Sequence, residues 1–170
     1  MHRGHLAVAR AALRGLRLDR LLIVPSKRSP LKSRQPTAVC HRLAMLKLAF
    51  RGMPEVEVST VELRRPAPSY TVDTLRTLKR RWPKAELFLV LGADAFRDLR
   101  RWRRPGEIRR LATLAVFPRP GTPPPEDVWC LAMKPVAASA SAIRKGGRAG
   151  LPVPVARYIK AKKLYRIPSA

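Results

Sequence analysis

Residues 86–96 read ELFLVLGADAF. Five apolar residues, Leu87 to Leu91, run without a break into Gly92, and Asp94 follows two positions later. An unbroken apolar run of this length that ends at a glycine reads as a strand buried on both faces. Such strands belong to parallel sheets covered by helices. The neighbouring segments repeat the alternation. Upstream, His5 to Leu16 carries Leu6, Val8, Ala9, Ala12, Leu13 and Leu16 at helical spacing, and LLIVPS is a short strand stopped by Pro25. Thr37 is placed to cap a helix running to about Arg51, with Leu43, Leu46, Leu48 and Phe50 on its inner face. EVEVSTVEL (55–63) alternates like a strand, RRPAPSYT (64–71) is a loop broken by proline, and Ser69 or Thr71 caps a helix up to Trp82. Downstream, a short helical stretch carries Trp102, and Pro105 opens a helix. TLAVFPRPG and VWCLAM read as strands, SASAIRKGG as a capped short helix and PVPVARYIKAKKLYR as a final helix. Strands alternating with helices, without internal repeats, predict an α/β fold on a doubly wound parallel sheet. Ligands in such sheets lie at the C-terminal ends of the strands.

The chain has 170 residues, 46% of them hydrophobic, which suits one compact domain with one core. No apolar run approaches the roughly 20 residues that cross a bilayer, and the arginine-studded first helix does not read as a signal peptide. The expected setting is soluble and cytoplasmic. Cys40 and Cys130 form no CxxC pair and are expected as small, reduced core residues. Thirty-six Lys and Arg against 11 Asp and Glu leave a net charge of +25. Codon bias in a GC-rich genome explains arginine replacing lysine, but not the shortage of acids. That shortage fits either a polyanion-binding surface or a pocket for highly phosphorylated substrates, and composition does not separate the two.

Three constellations have the chemistry for phosphates and nucleotides. His2 and His5, three apart, lie on one face of a first helical turn, where free amides and the helix dipole favour an anion. Gly4 between them leaves space for a phosphate to approach the backbone, and the imidazoles could donate to phosphoryl oxygens in a transition state. A zinc pair is the competing reading, but no carboxylate or third histidine stands nearby, and His41 reads as solvated on another helix. Incidental histidines at a disordered start are another. Ser139 or Ser141 at the start of the SASAIR helix, with Arg144, would offer hydroxyl, amides and a guanidinium fork to a polyphosphate. An ordinary capped helix has the same pattern. Tyr70 and Thr71 open a helix that offers amides and a hydroxyl to a small anionic group. Asp94 ends a buried strand, where it can take ribose hydroxyls or a positive ring, and Trp102 can stack on an aromatic ring or simply pack.

Taken together, HRGHL, RRPAPSYTVDTL, LVLGADAF with the downstream Trp, FPRPG, SASAIR and the closing helix resemble the nicotinate-nucleotide adenylyltransferases over nearly the whole chain. The resemblance implies a Rossmann-like doubly wound parallel sheet of nucleotidyltransferase type. It implies a single domain over residues 1–170, with 139–170 as its C-terminal helical part. It also implies transfer of AMP from ATP to nicotinate mononucleotide, giving deamido-NAD and pyrophosphate without a covalent intermediate. His2 and His5 would act on the ATP phosphates, with Lys32, Ser139, Ser141 and Arg144 also holding ATP. Tyr70, Thr71, Asp94 and Trp102 would hold the mononucleotide. Magnesium would arrive on the nucleotide, with no metal site of the protein's own. No specific nucleic-acid partner and no membrane are implied, although the charge permits nonspecific attraction to polyanions. The same superfamily motifs occur in pantetheine-phosphate adenylyltransferase, which lacks the PSYT loop and the Gly-x-Asp to Trp arrangement. The motifs and the charge are also compatible with a basic nucleic-acid-binding protein on this fold, or with an inactive truncated product. Family members begin with a strand and a Gly-Gly-Ser/Thr-Phe-Asp-Pro loop before the first histidine. The expectation is therefore that Met1 is an internal valine read from a GTG codon, and that the chain as written is poorly folded or nearly inactive.

Overall fold

The computed structural model describes residues 1–28, 37–117, 128–133 and 140–165. They form two compact units. The first comprises Met1–Leu22, Thr37–Val58 and Lys134–Ala170, the second Ile23–Pro36 and Ser59–Met133. The alternation read from the sequence is present, with the hydrogen-bonded strands in two sheets, one of two strands and one of three.

In the first unit α1 (Arg3–Gly15) buries Ala9, Ala11 and Ala12, small residues that allow close packing, and exposes Arg3, Arg10 and Arg14. Strand β1 (Leu21–Ile23) pairs with β2 (Val56–Val58). Helix α2 (Val39–Phe50) buries Met45, Leu46, Ala49 and Phe50. Leu43 and Leu48, expected on that face, are half-buried. The buried set follows i, i+1, i+4, i+5, so a stripe drawn through the large side chains misses it. Thr37 is not the cap of α2. Its hydroxyl pairs with the Tyr165 hydroxyl at 3.0 Å, and Ala38 holds the N-cap position. Helix α7 (Val153–Ala161) buries Val155 and Ile159, and its Tyr158 hydroxyl is 2.9 Å from His41 Nδ1. His41 is thus a half-buried link between α2 and α7, not a solvated side chain. Helix α6 (Ala140–Arg144) completes the unit.

In the second unit β3 (Phe88–Gly92), β4 (Thr113–Phe117) and β5 (Trp129–Cys130) form a parallel sheet in that order, with Phe88 opposite Thr113 and Gly92 opposite Phe117. A Cβ at Gly92 would stand 3.1 Å from the Phe117 ring, so glycine where the apolar run ends gives that ring room. Helices α3 (Thr71–Arg81) and α5 (Pro105–Leu111) pack around a core of Val72, Leu75, Leu99, Ile108, Ala112 and Leu114. Val72 and Ile108 are fully buried, each contributing about 1.5–3 kcal/mol of apolar transfer. Helix α4 (Ala93–Arg97) and a 3-10 turn (Asp98–Arg101) lead from β3 to Trp102. The expected strand over 55–63 ends at Val58. Leu63 and Arg64 donate their backbone N–H groups to the Thr60 carbonyl, turning the second half inward. Cys40 and Cys130 are exposed, contrary to the core placement expected, Cys130 because β5 is the last strand of its sheet. Among the described residues no helix is long and apolar enough to cross a membrane.

Candidate functional site

The first unit brings the two histidines of HRGH together. His2 is the N-cap of α1, in extended conformation, and His5 donates its backbone N–H to the His2 carbonyl at 3.0 Å. The two ring centroids are 4.0 Å apart, inclined at 51°. The His2 ring lies back over the helix: a Cβ at Gly4 would stand 2.9 Å from its Nδ1 and 3.0 Å from its Cε1. The space left by Gly4, expected to admit a phosphate, is therefore taken by His2. The absence of a side chain at Gly4 leaves the first imidazole room to fold against the turn. The Arg3 backbone N–H donates to the Gly150 carbonyl at 2.7 Å, fastening the start of α1 to the segment after α6. Burial, and after it the nearby Arg144 guanidinium, holds the Met1 amine below its ordinary range. Arg144 thus acts electrostatically on the same chain start that carries His2.

Ser141 and Arg144 are exposed on α6. Ser141 lies inside the first turn, so it is not the cap. The helix stops in a left-handed turn at Gly146 (φ 100°), where the Gly147 N–H returns to the Ala142 carbonyl at 2.9 Å and the Gly146 N–H to that of Ile143 at 3.1 Å. Ser139 and Lys32 fall outside the described residues.

The second unit holds the other set. Tyr70 is the N-cap of α3 and Thr71 its first residue; no side chain caps this helix. Ser69, expected to do so, accepts instead from the Lys27 backbone N–H at 3.0 Å, and its own N–H donates to the Arg28 carbonyl at 2.9 Å. Tyr70 and Trp102 pack against the same core cluster, so packing from two distant segments collects them. The Trp102 Nε1 is buried without a hydrogen-bond partner among the described residues, a state that costs about 1–3 kcal/mol until a partner arrives. Asp94 opens α4 at the C-terminal end of β3, where its carboxylate accepts from Arg97 Nη2 at 2.8 Å.

Sequence reading missed four residues around Tyr70. The Arg103 guanidinium lies 4.8 Å from the centre of the Tyr70 ring. Behind the tyrosine, the Thr74 hydroxyl donates to Glu62 Oε1 at 2.8 Å and accepts from Arg65 Nη2. One signal was available: Thr74 is a polar residue on the helix face that buries Val72, Leu75 and Leu78, and a buried hydroxyl needs partners. Among the described residues no cluster of three or more His, Cys, Asp or Glu is arranged to hold a metal ion.

Residues 1–146 match the family described as Cytidylyltransferase-like. A Thermomicrobium roseum protein named "Probable nicotinate-nucleotide adenylyltransferase" is 45% identical over 122 residues, 71% of this chain and 57% of that protein. A Gemmatimonas aurantiaca protein of the same name is 37% identical across 97% of this chain and 87% of its own length. Among solved structures, the Plasmodium falciparum nicotinic acid mononucleotide adenylyltransferase complexed with NaAD superposes with a TM-score of 0.76. It covers 95% of this chain and 89% of its own at 16% identity, a likeness of fold.

Proposed function

The chain belongs to the nicotinate-nucleotide adenylyltransferase family, and on that premise we propose that it transfers AMP from ATP to nicotinate mononucleotide. A 5′-phosphate oxygen of the mononucleotide forms a bond to the α-phosphorus of ATP. The bond from that phosphorus to the oxygen bridging to the β-phosphate breaks, and pyrophosphate leaves with the electron pair. Deamido-NAD is the product. No side chain need become covalently attached, so the protein's task is positioning and charge stabilisation.

The observation that supports this reading best is the His2–His5 pair, with rings 4.0 Å apart on the first turn of α1. Two imidazoles so placed, at the positive end of a helix dipole, suit phosphoryl oxygens that gain charge in an in-line displacement. His5, the exposed member, is assigned to the developing charge and His2 to the phosphate chain. Ser141 and Arg144, with Lys32 and Ser139, hold the remaining phosphates. Tyr70 and Thr71 take the pyridine carboxylate end, Asp94 the ribose hydroxyls, and Trp102 stacks on the ring with its indole N–H available to the ligand. Magnesium enters on the ATP phosphates and supplies charge neutralisation there. The whole chain acts as one nucleotidyltransferase domain in the cytoplasm, on small soluble substrates. Its +25 charge draws polyanions without sequence preference.

The test is pyrophosphate release with ATP and magnesium. Nicotinate mononucleotide should support turnover, nicotinamide mononucleotide should do so less well, and phosphopantetheine should be inert. Equal or faster turnover of phosphopantetheine overturns the assignment.

A further inference from the structure

We propose that Glu62, Arg65 and Thr74 form a positioning cluster that sets the Tyr70–Thr71 turn for the mononucleotide. The proposal rests on Tyr70 and Thr71 being its binding residues. Helix α3 starts without a side-chain cap. A cap would hold the turn rigid, but it would also consume amides that a ligand can use. The cluster fixes the turn from behind and leaves those amides alone.

Thr74 is the centre of the cluster. Its backbone N–H and that of Asp73 donate to the Tyr70 carbonyl at 3.3 and 3.2 Å, so the residue holds Tyr70 through the main chain. Its side chain holds the preceding loop. The single hydroxyl proton goes to Glu62 Oε1 at 2.8 Å, and a hydroxyl lone pair accepts from Arg65 Nη2. Thr74 and Glu62 are only 5% and 8% exposed. A carboxylate removed from water is costly unless hydrogen-bonded, and an apolar side chain there would stabilise the fold equally well or better. What the polar cluster adds is directionality: it tolerates one placement of residues 62–65 against the first turn of α3. Residues 27 and 28 brace the same loop. Lys27 Nζ donates to the Arg65 carbonyl at 3.3 Å, while its backbone N–H and the Arg28 carbonyl hold Ser69. Residues 62–65, 69–71 and 74 are thereby joined into one frame around the proposed pyridine end of the substrate.

The experiment compares wild type with Thr74→Val, Thr74→Ser and Glu62→Gln by steady-state kinetics and by hydrogen exchange of the Asp73 and Thr74 amides. Thr74→Val should raise KM for nicotinate mononucleotide about tenfold, with kcat and KM for ATP within about twofold, because ground-state placement alone is lost. Thr74→Ser keeps the hydroxyl and should restore wild-type values. Glu62→Gln, nearly isosteric, should act in the same direction and serves if Thr74→Val does not fold. Exchange at Asp73 and Thr74, whose N–H groups donate to the Tyr70 carbonyl, should accelerate in both damaging variants while the amides of α5 keep their protection. Where Trp102→Ala raises the KM for the mononucleotide, an unchanged KM in Thr74→Val overturns the proposal, as does a parallel loss of kcat and both KM values that serine does not restore. If Trp102→Ala also leaves that KM unchanged, the assignment of the substrate has failed, and the exchange comparison then decides the cluster by itself: unchanged exchange sinks it.

Discussion

His2 and His5 occupy one turn of one helix, whereas Tyr70, Asp94 and Trp102 are drawn from three segments of the second unit, two of them onto one core cluster. The first pair needs little: a helical turn and a residue between them that has no Cβ to meet the His2 ring. The second set needs a folded core, because Tyr70 and Trp102 both pack against the cluster of Val72, Leu75, Leu99, Ile108, Ala112 and Leu114. A local motif can be lost without harm to the fold. A site assembled by packing cannot, and substitutions in the two units should separate along that line.

The largest effect is expected at His5. It is exposed, so His5→Ala should leave the melting temperature nearly unchanged while kcat falls by on the order of 10²-fold or more. Pyrophosphate release under saturating substrates measures this. A variant altered only in KM for ATP would remove His5 from the transition state.

Trp102→Ala should behave differently on both counts. Loss of ring stacking should raise KM for the mononucleotide about tenfold with a smaller change in kcat. Half-buried packing against the core is lost as well, so stability should fall by about 1–2 kcal/mol, less than the 3–5 of a fully buried aromatic. Urea unfolding followed by circular dichroism gives the second number. If stability were unaffected, Trp102 would be as separable from its fold as His5, and the contrast between the units would fail.

The same contrast decided what was legible beforehand. The unbroken run from Leu87 to Leu91 ends at Gly92 as expected, and the i, i+3 spacing of HRGH put both imidazoles on one turn. In each, neighbours in sequence fix the outcome. The helix starts were read less well. Thr37 and Ser69 are good capping residues by type, yet their hydroxyls go to Tyr165 and to the Lys27 N–H, partners 128 and 42 positions away. The alternation in EVEVSTVEL continues on paper through Glu62, but the turn at Thr60 redirects it, and Glu62 meets Thr74 instead of solvent. Cys130 looked apolar enough for the core; its strand is the last of its sheet. At Thr37 and Ser69 a long-range partner overrides a local preference; at Thr60 a local turn does so, and at Cys130 the place of the strand in its sheet.

The smallest effect is a matter of acid. In the second unit Arg76 of α3 donates to both oxygens of Glu107 on α5, Nε to Oε1 at 2.6 Å and Nη2 to Oε2 at 2.8 Å, and Asp73 accepts from the same guanidinium at 3.2 Å. The hydrogen bonds from Arg76 hold the Glu107 carboxyl below its ordinary 4.5, against a smaller opposing contribution from burial. A carboxyl depressed on folding contributes stability in full above its unfolded value. That contribution is lost as pH falls through the lower folded value. Wild type should therefore exceed Glu107→Gln by a constant margin at neutral pH, and the margin should close below about pH 4.5, with at most about one extra proton taken up by the wild type on unfolding. All three tryptophans, Trp82, Trp102 and Trp129, lie in the second unit. Their fluorescence reads that unit alone, and acid titrations of the two proteins should diverge in this signal. A margin that stays constant down to pH 2 would mean that Arg76 does not hold Glu107 in solution, and that α3 and α5 are joined by their apolar faces alone.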